Sequence, residues 1–96
     1  MNDNEIKHKE NRLNGVFYLR DEEGILCELT YKMKDGKIMV IDHTETRQAR
    51  EGEGLASLLL EKAVGFAREK SYKIDPLCPF VEVKFDENKD YHKLRV

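Results

Sequence analysis

A chain of 96 residues, 38% charged and 40% hydrophobic, suits one small soluble domain and leaves no room for a second. Its formal charge of −2 and pI near 5.9 disfavour a dedicated nucleic-acid binder, which needs Lys and Arg clustered on one face. The apolar runs are short, and the N-terminus M-N-D-N-E-I-K lacks a basic stretch followed by an apolar one, so neither a membrane span nor a signal peptide is expected.

Taken in chain order, residues 1–14 are polar, with only Ile6 and Leu13 apolar beyond Met1, and read as an arm that frays or supplies a short edge strand. V-F-Y-L-R at 16–20 and I-L-C-E-L-T-Y at 25–31 are β-branched and aromatic, and D-E-E-G between them is a turn. Alternation in the second places Ile25, Cys27, Leu29 and Tyr31 on one face. Asp35-Gly36 supplies positive-φ turn chemistry before a third strand, K-I-M-V-I-D-H-T at 37–44. From residue 54 to about 70, Leu55, Leu58, Leu59, Ala63, Phe66 and Ala67 recur at three and four, which predicts one buried helical stripe. A short strand at 73–77 follows. If it lies parallel to 37–44, the unit is β-α-β with a right-handed crossover, which brings His43 near Cys78 beside the glycine turn. Segments 81–85 and 91–94 read as a short helix and a closing segment, and His8 and His92 as solvated surface residues.

The stretch that carries chemistry is M-V-I-D-H-T-E-T-R-Q-A-R-E-G-E-G-L-A-S-L-L-L at 39–60. A strand leads into Gly52 and Gly54, and a helix begins at once, so unpaired backbone N–H groups and the positive end of a helix dipole meet at the turn. The same glycines serve equally as a plain strand-to-helix turn. Arg47 and Arg50 favour an anion there, while Glu51 and Glu53 oppose it. A P-loop is excluded because no Gly-Lys-Ser/Thr follows at the required spacing. A dinucleotide fold is rejected because Ser57 replaces the third glycine, antiparallel hairpins precede the turn, and the chain is too short for two mononucleotide halves. His43 is either a strand-end hydrogen-bonding residue or a general base for an attacking amine. Cys78, between Pro76 and Pro79, is either core or a strand-end thiol that accepts an acyl group or protonates a leaving thiolate. Cys27 and Cys78 lack CxxC spacing and an export signal, so neither a disulfide nor a metal site is expected, and a reducing cytoplasm is the default compartment.

H-T-E at 43–45, E-G-E-G-L-A-S at 51–57, A-R-E-K at 67–70 and I-D-P-L-C-P-F-V at 74–81 together resemble the small GNAT-like acetyltransferase-domain family, minimal relatives of the GNAT superfamily. The resemblance implies an α+β minimal GNAT-like fold: an antiparallel sheet, a β-α-β unit binding acetyl-CoA between splayed parallel strands, and a short C-terminal helix. It implies that the pyrophosphate is held at the turn of Arg50, Gly52, Glu53, Gly54, Leu55 and Ala56. The pantetheine arm follows Ile41, His43 and Thr44, with Cys78 and Phe80 beside it, and Cys78 corresponds to the family's proposed catalytic residue. The chain departs from the pattern in three places. Ala49 stands where larger members carry Gln or Arg, Thr46-Arg47-Gln48 replaces Val-Pro-Pro, and D-E-N-K-D-Y at 86–91 replaces a His-Pro segment.

The expected protein is thus a cytoplasmic, monomeric single domain over residues 1–96 that binds acetyl-CoA and moves acetyl to an unidentified amine, small molecule or protein, with Cys78 and His43 catalytic. The competing expectation is a non-catalytic CoA-binding or protein-interaction module. The missing acceptor-site helices and the acidic Glu51 and Glu53 favour it.

Overall fold

A computed structural model of the chain describes residues 5–96. Strands β1 (Lys7–Glu10), β2 (Asn14–Asp21), β3 (Gly24–Lys34), β4 (Ile38–Thr46) and β5 (Lys73–Pro76) form one sheet in that spatial order. The first four are antiparallel neighbours, and β5 joins β4 in parallel after α1 (Leu55–Lys70) has crossed over. Helix α2 (Pro79–Glu87) and a 3₁₀ segment (Lys89–Leu94) complete the chain. The architecture is the α+β arrangement expected from the sequence.

Local chemistry accounts for each connection. Asp35 (φ 55°) and Gly36 (φ 69°) form the β3–β4 hairpin turn, closed by the Lys37 N–H donating to the Lys34 carbonyl at 3.1 Å. Helix α1 ends at Ser71, whose left-handed φ of 62° lets its N–H return to the carbonyls of the last turn. Leu77 turns sharply, its N–H donating to the Asp75 carbonyl at 3.0 Å, so β5 stops one residue short of the expected strand and Pro79 starts α2. The expected helix at 81–85 lies inside α2, and the closing segment is the 3₁₀ turn. Arg95 then bridges Ile74, and the Val96 N–H reaches the Ile74 carbonyl at 3.0 Å.

Helix α1 covers one face of the sheet with Leu55, Leu59, Leu60, Ala63, Val64 and Ala67 fully or nearly buried. The buried arc is wider than the predicted stripe. It adds Leu60 and Val64 and leaves Leu58 and Phe66 half-buried, because α1 packs on the sheet and also touches the 3₁₀ segment, where Arg68 donates to the Asp90 carbonyl at 2.9 Å. The opposing sheet residues Phe17, Leu19, Cys27, Leu29, Tyr31, Met39, Ile41 and Ile74 complete one hydrophobic cluster, which Val81 and Phe85 of α2 extend. Both cysteines are free thiols inside it. Among the described residues no helix is long and apolar enough to cross a membrane.

Two expectations need correction. Ile25 is 43% exposed, whereas Leu26 is buried. The β2–β3 register steps from Leu19↔Cys27 to Arg20↔Ile25, so Leu26 is the extra residue of a β-bulge that reverses the alternation. The polar arm supplies the short edge strand that was one of its two expected forms: β1 pairs with β2, and residues 1–4 lie outside the described residues. His8 is not a solvated surface residue. Pairing opposite Phe17 stacks the two rings at 3.9 Å with 6° between planes, and Nε2 lies 2.8 Å from the Tyr31 hydroxyl. Burial lowers the His8 pKa, and it pushes that of Tyr31 up to about 12.

Candidate functional site

The site begins with a second bulge, in β4. Met39 and Ile41 are buried, and strict alternation would turn His43 inward as well. The register instead passes from Tyr31↔Ile41 to Thr30↔His43, leaving Asp42 as the extra residue. Asp42 accepts a hydrogen bond from the Thr30 hydroxyl at 2.7 Å, and His43 is exposed on that same outer face. Thr44 therefore takes the inward place opposite Leu29, and Thr46 that opposite Cys27, with 3.2 Å between Thr46 Oγ1 and Cys27 Sγ.

The bulge coincides with the end of the parallel pairing. β4 and β5 run together from Ile38↔Lys73 to Ile41↔Pro76, and the last bond is the Cys78 N–H to the Ile41 carbonyl at 2.9 Å. Beyond it β4 continues to Thr46 while the other chain turns into α2, so the two segments part. On the β3 side, the Arg47 N–H donates to the Leu26 carbonyl at 2.7 Å. Counting back by twos along an antiparallel strand, the N–H groups of Thr46 and Thr44 point to the opposite, unpaired edge. Cys78 Sγ lies 3.5 Å from Thr44 Oγ1.

A cleft of about 380 Å³ opens where the segments part. Thr44, Glu45 and Thr46 form one wall and Phe80 contributes to the other; Arg50, Glu51, Gly52 and Gly54 supply the loop, and Leu55, Ala56 and Ser57 the first turn of α1. Gly54 caps α1 in the left-handed conformation (φ 79°, ψ 17°), without a side-chain cap and without an acidic residue in the first turn. The first intrahelical bond is Leu58 N–H to Gly54 carbonyl, at 3.1 Å, so the N–H groups of Leu55, Ala56 and Ser57 have no partner within the helix. Those donors and the helix dipole suit an anion.

Charges around the cleft are mixed. Among the described residues Arg50 is the one cation in its lining, beside the carboxylates of Glu45 and Glu51. Arg50 is already engaged: Nε and one terminal N–H donate to the two carboxylate oxygens of Glu53 at 2.7 and 2.8 Å. This pair raises the Arg50 pKa and lowers that of Glu53. Arg47, the other cation weighed for the turn, grips Asp21 at 2.9 and 3.1 Å and the Ile25 carbonyl at 3.1 Å, and is not in the lining.

Of the residues singled out from sequence, Thr44, Arg50, Gly52, Gly54, Leu55, Ala56 and Phe80 line the cleft together. Ile41 is buried in the core and contributes its carbonyl to Cys78. Cys78 is 6% exposed and stands beside Thr44, while Glu53 contacts Arg50. His43 does not meet Cys78, because the Asp42 bulge hands the inward position to Thr44. Glu45, Thr46 and Ser57 join the lining without having been assigned a role there, and Glu51 joins it as the opposing charge weighed at the turn. Continuing the strand through T-E-T would have found the first two.

A strand bulged at its splay, an open helix N-terminus and a cysteine at the N-cap of α2 meet around the cleft. The sequence profile of the GCN5-related N-acetyl-transferase family matches residues 16–94, and the chain belongs to that family. The solution structure of a GCN5-like protein from Staphylococcus aureus is similar over 100% of this chain and 91% of that one, with 31% identity and a TM-score of 0.76. A ribosomal-protein-alanine N-acetyltransferase from Brucella melitensis shares the fold at 20% identity and a TM-score of 0.62, over 90% of this chain. This chain spans 64% of the length of that enzyme. No curated protein matches the chain.

Proposed function

We propose that the protein binds acetyl-CoA in the cleft between β4 and α2 and transfers the acetyl group to an amine. The observation that carries this reading is the coincidence of the Asp42 bulge, the end of β4–β5 pairing and the uncapped N-terminus of α1 around one cleft. The open N–H groups of α1 fit a diphosphate, and the unpaired β4 edge fits the amide groups of a pantetheine arm. Acetyl-CoA supplies an acetyl group activated as a thioester; the amine nitrogen bonds to the carbonyl carbon as the C–S bond breaks. The Thr44 N–H donates to the carbonyl oxygen. Cys78, positioned by Thr44 Oγ1, gives its thiol proton to the departing sulfur and regains one from solvent. His43 faces away from Cys78, so the acceptor reacts as the neutral amine after losing its ammonium proton to solvent, and the further proton its nitrogen sheds as the amide forms also goes to solvent, balancing the one Cys78 regains.

Thiol release from acetyl-CoA over a panel of primary amines tests this, with Cys78→Ala beside the wild type. Turnover that falls at least tenfold in the variant supports the assignment, whereas undiminished turnover removes Cys78 from the mechanism. Acetyl found on Cys78 by mass spectrometry would replace its acid role with a covalent one. The outward His43 and the carboxylates in the cleft favour a second reading, a CoA-binding module without turnover. Binding with no thiol release across the panel would establish that alternative.

A further inference from the structure

The pairing of Arg50 with Glu53 is the feature of the cleft that a diphosphate ligand does not explain. A guanidinium in an anion site serves by offering two parallel N–H donors to phosphate oxygens. Here both are given to a carboxylate three residues along the chain, at 2.7 and 2.8 Å. Resting on the CoA reading above, we propose that Glu53 is a tethered competitor for the ligand's diphosphate. It occupies Arg50 in the free protein, and the ligand must displace it.

The surroundings fit this role. A partner three residues away presents its charge at high effective concentration, so an incoming phosphate competes against a carboxylate that never diffuses off. The Glu53 side chain is 45% exposed, so it leaves Arg50 for water by rotating its own bonds, with no backbone displacement. The two carboxylates that line the cleft itself, Glu45 and Glu51, have no ion-pair partner among the described residues and add to the opposition. Among the described residues no second cation lines the cleft to offset them. The consequence is selective: Glu53 weakens binding of ligands that carry a diphosphate and leaves phosphate-free pantetheine unaffected. Glu53 is thus a residue that sets affinity and ligand preference, without touching the reacting atoms.

Calorimetric titration of CoA and of pantetheine into the wild type, Glu53→Gln, Arg50→Gln and the double variant tests the proposal, at low salt and with folding checked by circular dichroism. Glu53→Gln should bind CoA about fivefold to tenfold more tightly, as expected for releasing an exposed charge-assisted pair. Pantetheine affinity should be unchanged, and the gain should vanish in the Arg50→Gln background. Equal or weaker CoA binding by Glu53→Gln, with the wild type binding normally, overturns the competition and leaves the CoA reading standing. If neither the wild type nor Glu53→Gln binds CoA, both fall.

Discussion

Two glycine-to-alanine substitutions eleven residues apart should have opposite signs, and the contrast isolates the strain at the cap of α1. A Cβ at Gly54 or at Gly65 would find nothing within 4 Å, so packing drops out of both comparisons. Gly54 sits at φ 79°, where an L side chain costs roughly 1–2 kcal/mol. Alanine restricts the unfolded chain and returns about 0.5 kcal/mol of that. Gly54→Ala should therefore destabilise by about 1 kcal/mol, lowering Tm by roughly 4–8 °C for a chain of this size. Gly65 lies exposed in the middle of α1 with ordinary helical backbone, so Gly65→Ala should stabilise by about 0.5–1 kcal/mol. Urea titrations followed by circular dichroism, with m-values compared to exclude denatured-state effects, read both changes. Shifts of the same sign would refute the argument that the cap of α1 needs a residue without a Cβ at positive φ. Gly54→Asn should fall between, since asparagine tolerates the left-handed region better than alanine.

Two further predictions concern β2. Gly15 lies opposite Tyr31, and a Cβ there would overlap the tyrosine ring and hydroxyl. Gly15→Ala should cost about 2–4 kcal/mol, combining the overpacking penalty with loss of the His8–Tyr31 hydrogen bond; denaturant unfolding checks this, and a change below about 0.5 kcal/mol would be incompatible with the packing described. Arg47 holds the Asp21 carboxyl down from 3.8 to about 2. A depressed folded pKa means the unfolded state binds the proton first as pH falls. The pair's stabilisation is therefore present above pH 3.8 and disappears as pH approaches 2. Asp21→Asn should flatten Tm against pH across that window, and an unchanged slope would show that the Arg47–Asp21 pair contributes nothing.

Much of this fold is legible in residue pattern because local chemistry and burial agree. Asp35-Gly36 makes its hairpin, the three-and-four spacing from Leu55 makes α1, and Pro76 and Pro79 bracket the departure from the sheet. The glycine turn, Thr44 and Phe80 converge as their spacing suggests. What pattern does not reveal are the two bulges. Inserting one residue into a ladder changes which side chains face the core without changing composition, so Ile25 was read on the wrong face, Leu26 was overlooked, and His43 was expected beside Cys78 where Thr44 stands. His8 was misread because its polar neighbours hide a cross-strand partner, Phe17, that only pairing supplies. The Arg50–Glu53 contact depends on rotamers at a turn, which spacing alone leaves open.

The central claim is that the cleft at the N-terminus of α1 binds CoA, and backbone amide NMR during titration with CoA and acetyl-CoA tests it most directly. The account predicts saturable shifts concentrated at Thr44, Thr46 and residues 52–57, with Lys7–Glu10 at the far edge of the sheet unmoved. Saturation without shifts at residues 52–57, or no shifts at millimolar CoA, would contradict it.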